Sequence, residues 1–86
     1  MTDLFDPEMD WGDIRADEID LVKEASALIV RNHQRKTDDK WYLSGITAYN
    51  VAFPHVVMSV TLCTGERCIM LKNVSVNLAT RTVALR

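Results

Sequence analysis

Leu21, Val22, Ala25, Leu28, Ile29 and Asn32 recur at spacings of three and four and draw one stripe, while Asp20, Lys23, Glu24, Ala27, Arg31 and Arg35 fall on the other side. That period predicts an amphipathic helix. Its start is expected at Asp13 or Asp17, either of which can serve as N-cap. Acids fill the first turn and Arg31, Arg35 and Lys36 the last, which suits the helix dipole. The helix is expected to end near Thr37, where Asp38-Asp39 opens a loop.

From Lys40 the period changes to two and β-branched and aromatic residues take over. A long first strand is expected to bend at Gly45 and to end before Pro54. A second runs from His55 to Cys63, with Val56, Met58, Val60 and Leu62 facing the helix. Thr64-Gly65-Glu66-Arg67 supplies a turn in which Gly65 is free to take positive φ, and a two-residue turn there pairs Leu62 with Ile69 and Val60 with Leu71. Beyond Lys72 the apolar parity slips to Val74, Val76 and Leu78, which predicts a bulge near Asn73. A turn at residues 79–81 and a last strand over 82–85 complete the pattern. The sum is an α+β chain: one N-terminal helix packed on a three- to four-stranded antiparallel meander, with a small bent β-barrel as the alternative. Residues 1–12 read as an acidic arm and residues 13–86 as a single domain.

With 86 residues, 48% apolar and 26% charged, there is room for one core, and self-association would add stability. The net charge of -2 hides a polarity. Residues 1–20 hold eight acids against Arg15, a balance of -7, whereas the remainder holds nine bases against four acids, +5. No apolar run is long enough to span a membrane, and the first residues show neither a basic n-region nor an apolar h-region, so the cytoplasm is the expected compartment.

Cys63 and Cys68 fall opposite one another across the hairpin. In a reducing compartment two free, half-buried thiols are expected, although the pairing also permits a cross-strand disulfide. His33, His55 and the two cysteines lack the short spacings of a zinc site, no close-spaced Cys or His pair supports a zinc finger, and neither a Gly-rich phosphate loop nor a nucleophile turn is present. No metal, cofactor or catalytic residue is therefore expected, and the histidines read as ordinary boundary residues.

Two binding readings remain. In the favoured one, Leu4, Phe5, Met9 and Trp11 are apolar anchors in a partner's groove while Asp3, Asp6, Glu8, Asp10 and Asp13 steer toward its basic rim, in the manner of nucleic-acid phosphates. This describes a non-enzymatic protein-binding module of regulatory or inhibitory kind. A simpler reading folds the arm's apolar residues back on the domain. The rival function is RNA or single-strand binding by Arg31, Arg35, Lys36, Lys40, Trp41 and Tyr42, against which stands the pI of about 5.5. One helix cannot cover both faces of a sheet, so Tyr42, Ile46, Val57, Met70 and Val74 are expected on the far side, where a homodimer would bury them.

Overall fold

The computed structural model describes residues 5, 11–12, 14–35 and 40–84. Its helix, α1, spans Ile19–Gln34. The N-cap is Glu18, whose side chain makes no capping bond. Asp17 is not the cap: its carboxylate accepts from Arg15 Nε and Nη2, both at 3.2 Å, in the turn that leads into the helix. Asp13 lies outside the described residues, as do Thr37, Asp38 and Asp39, and the helix stops at Gln34 with Arg35 as C-cap.

The buried face of α1 is rotated from the expected stripe. Val22, Ala25, Ser26, Ile29 and Val30 are buried, whereas Leu21, Leu28 and Asn32 sit at the margin. Ser26 reaches the core because its hydroxyl donates to the Val22 carbonyl of the preceding turn at 2.7 Å, which removes the cost of an unpaired buried polar group. The sequence pattern counts a serine as polar and so misplaces the centre of the stripe.

Four antiparallel strands, β1 Tyr42–Ala52, β2 His55–Cys63, β3 Cys68–Asn77 and β4 Thr82–Ala84, form an open sheet in that order. The meander is therefore the architecture, and the barrel alternative falls because β1 and β4 are the two edges of the sheet. The hairpin register is the expected one: Leu62 pairs with Ile69, Val60 with Leu71, and Cys63 with Cys68. Gly65 does not take positive φ; among the described residues the non-glycine positions that do are Asn73, at 54°, and Arg81, at 57°. Asn73 marks the expected bulge, where Lys72 and Asn73 together face Ser59 and the Asn73 amide donates to Ser59 Oγ at 3.1 Å.

Two further irregularities, at Ser44 and Thr47 of β1, are not visible in the alternation. Each shifts the pairing by one residue and so flips the side chains beyond it. As a result Ile46 pairs with Val60, and Tyr49 and Val51 with Met58 and Val56, all on the helix side. Val74, opposite Met58, is fully buried there as well. Val74 is thus a core residue and Ile46 packs, partly buried, against the core, contrary to expectation, and of the five apolar residues assigned to the far face Tyr42, Val57 and Met70 remain. They stand among Thr61, Asn50, Ser75 and Asn77, on a mixed apolar and polar face.

The core is the layer between α1 and the sheet, built from Ile29, Val30, Leu43, Met58, Leu62 and Val76 with their neighbours. Trp41, at 2% exposure, closes one end. Cys63 and Cys68 are joined in a disulfide, with Cα atoms 4.0 Å apart, which corrects the expectation of free thiols. The pair sits where antiparallel strands approach most closely, and the thiol-based support for a reducing compartment goes with it. No described helix is long and apolar enough to cross a membrane.

Candidate functional site

Two regions carry the residues singled out by sequence, one at the β1 edge and one around the C-terminal end of α1. At the β1 edge, Phe5 forms an isolated parallel bridge with Leu43 and stacks edge-on against Trp11, with ring centroids 5.2 Å apart. Both rings are half-buried and pack against the core. Trp11 is fixed on its other side by Lys23, whose Nζ stands 5.2 Å from the ring centroid, and its carbonyl accepts from the Ile14 amide at 3.2 Å. Large apolar area and the cation's attraction to the ring face hold the two aromatics to their own domain. Phe5 and Trp11 are therefore packed against their own domain. Leu4, Met9, Asp3, Asp6, Glu8, Asp10 and Asp13 lie outside the described residues.

At the helix C-terminal end the six residues of the nucleic-acid reading do not come together. Trp41 has no face to offer a base: its indole takes an edge-on contact from His33 at 4.7 Å and the Arg67 guanidinium at 5.5 Å, and its amide donates to Gln34 Oε1 at 2.8 Å. Tyr42 alternates with the buried Leu43 and so points to the sheet face away from α1. Lys40 is exposed and Lys36 lies outside the described residues. Arg31 and Arg35, one helical turn apart, do share a face, and what they meet is β4.

Between them lies a groove of about 390 Å³. The helix contributes Leu28, Arg31, Asn32 and Arg35, the i, i+3, i+4 and i+7 positions of one stripe. Opposite stand Arg81, Thr82 and Val83. Three arginines thus border one concavity whose apolar part is Leu28 and Val83, and no Asp or Glu is among its described lining residues. Glu24 is near, with its Oε1 3.9 Å from Arg81 Nη1, but both side chains are largely exposed and the pair is loose. The rotation of the buried stripe is what creates this arrangement: with Ser26 and Val30 turned inward, Leu28 and Asn32 are left at the margin facing β4.

Sequence reasoning missed Arg81. It lies 46 residues after Arg35, in an expected turn, and only the pairing of β4 along β3 carries it to the helix. The available signal was a long cationic residue where a turn favours Gly or Asn.

Among the described residues no group of three His, Cys, Asp or Glu side chains is placed to hold a metal ion. The thiolates that a zinc site with His33 and His55 would need are consumed in the disulfide. Comparison with protein-family models, with curated proteins and with solved structures found no match to this chain, so no function is carried over from a relative.

Proposed function

We propose that this chain is a non-enzymatic protein-binding module, regulatory or inhibitory in kind, that presents the carboxylates of its N-terminal segment to a basic surface on a partner protein. The observation that carries the reading is the Phe5–Trp11 pair at the β1 edge. It ties the most acidic stretch of the chain to the fold at two points, with Asp6, Glu8 and Asp10 lying between them in sequence. A segment anchored before it meets its partner gives up less conformational freedom on binding than a free tail does. The aromatics then serve as internal anchors, and Asp3, Asp6, Glu8, Asp10 and Asp13 supply recognition as a row of charges that stands in for phosphates and speeds encounter with a cationic surface. Leu4 and Met9 are the apolar contacts left to the partner. A homodimer belongs to the same proposal, through the sheet face that carries Tyr42, Val57 and the exposed Met70, and sedimentation of wild type beside Met70→Glu tests it.

The test of the main reading is capture from a nuclease-treated lysate of the source cell at low and high salt. Wild-type bait is compared with a bait carrying Asp3→Asn, Asp6→Asn, Glu8→Gln and Asp10→Asn. These changes leave Phe5 and Trp11 in place, which deletion of residues 1–12 would not. A protein retained by wild type and lost from the neutralised bait is the expected result. Equal capture by both baits, or recovery of nucleic acid alone before nuclease, sinks the reading.

A further inference from the structure

We propose that the groove between α1 and β4 is a binding site for a small phosphorylated molecule, its phosphoryl group among Arg31, Arg35 and Arg81 and its organic body over Leu28 and Val83. The site is independent of the carboxylate-rich segment and stands or falls without it.

Four observations converge. The first is charge: three arginines are among the residues that line one cavity to which no described Asp or Glu contributes, Arg31 and Arg35 have no described ion-pair partner, and Arg81 has only the loose, exposed contact with Glu24. Guanidinium donors are planar and forked, which fits them to phosphate oxygens better than an ammonium group. The half-charge of the helix C-terminus opposes an anion here, and Arg31 in the last turn offsets it, which leaves Arg35 and Arg81 in excess. The second is size: about 390 Å³ lies in the range of small-ligand pockets and is far more than an inorganic ion fills. The third is composition: a side-chain amide, Asn32, and a hydroxyl, Thr82, stand beside an apolar floor, the mixture that orients an organic ligand.

The fourth is Arg81 itself. Its φ of 57° is a left-handed conformation that L side chains adopt at a cost and that glycine adopts freely. The surrounding turn is well determined without it: Asn77 Oδ1 accepts from the amides of Ala79 at 2.9 Å and Thr80 at 3.2 Å, and the Thr80 and Thr82 hydroxyls lie 2.8 Å apart. The turn does not require arginine, so the cost of placing one there is assigned to what the residue does at the groove it lines.

The experiment is a titration of the full chain, followed by NMR of the backbone and of the arginine Nε groups, with inorganic pyrophosphate, adenosine triphosphate and adenosine as probes. Expected are saturable shifts of Arg31, Arg35 and Arg81 with both phosphorylated probes, tighter binding of the nucleotide than of pyrophosphate, and no shifts with adenosine. Arg35→Ala and Arg81→Gly should each weaken binding about tenfold or more, the usual loss for a charge-assisted hydrogen bond. Arg81→Gly relieves the backbone, so undiminished thermal stability alongside lost binding separates recognition from folding. Equal affinity for pyrophosphate and the nucleotide overturns the organic-body assignment. Absence of shifts at millimolar probe, or binding unchanged in Arg81→Gly, overturns the site. If a single-stranded oligonucleotide binds far more tightly than any mononucleotide, with affinity falling steeply in salt, the groove belongs to a polymer and the small-molecule assignment is wrong.

Discussion

The two edges of this sheet are built in opposite ways. At β1 a long strand is overlaid by aromatics from the most acidic part of the chain; at β4 a three-residue strand stops short and leaves arginines around a hollow. Both devices blunt an edge against pairing with another chain, one by covering it and one by making it short and charged. The difference lies in what remains for recognition. Packing at the β1 edge uses the aromatics for stability, so recognition there, as proposed, falls to the carboxylates. The β4 edge consumes little apolar area, so its cations and its cavity stay open.

The contrast makes its largest prediction for stability. Leu43, fully buried and bridged by Phe5, is expected to cost about 2–5 kcal/mol on replacement by Ala, whereas the half-buried Val83 of β4 should cost about 1 kcal/mol or less. Urea unfolding of the two variants measures the gap, and similar losses would erase the distinction between a structural and an open edge. Trp11→Ala comes next at about 2–3 kcal/mol, because half of a large ring leaves the core together with its Phe5 and Lys23 contacts. A loss near zero would mean that the segment is not held to the domain, and the proposal for its carboxylates would lose its basis. The central strands supply the control: replacing Cys63 and Cys68 with Ser opens a loop only a few residues long and is expected to cost about 2 kcal/mol. It should leave binding at either edge unchanged, as read by the capture and titration experiments.

What could be seen beforehand follows the same division. The helix, the meander, the β2–β3 register and the bulge at Asn73 were legible because each leaves a local mark: a period, a turn dipeptide or a slip in parity. The irregularities at Ser44 and Thr47 leave none, since both faces of β1 carry apolar residues and alternation cannot show which parity is buried. Ile46 was misplaced for that reason. Ser26 was misplaced because its hydroxyl is satisfied by its own helix, something composition does not record. The charge of the N-terminal segment was plain in sequence, yet the seating of Phe5 and Trp11 depends on Leu43 and Lys23, both distant along the chain. The groove was hidden most completely, because it needs the helix rotation and the β4 pairing together before Arg81 can meet Arg31 and Arg35.

The smallest effect discriminates most sharply between a side chain kept for the fold and one kept for a ligand. Asn73 and Arg81 share a left-handed backbone, at 54° and 57°. Asparagine is a residue type that tolerates this region, and Asn73 sits inside the sheet, where its amide is already used by Ser59. Asn73→Gly should therefore be nearly neutral, its relief offset by the greater freedom of glycine in the unfolded chain. Arginine lacks that tolerance, so Arg81→Gly should gain up to about 1 kcal/mol in urea unfolding, less whatever the loose contact with Glu24 contributes. A gain means that the fold is better off without Arg81, which leaves ligand recognition as its reason to be there. A loss would give the side chain a structural role through Glu24, and the groove would then rest on Arg31 and Arg35 alone, two cations on one helix face with nothing opposite to close on an anion.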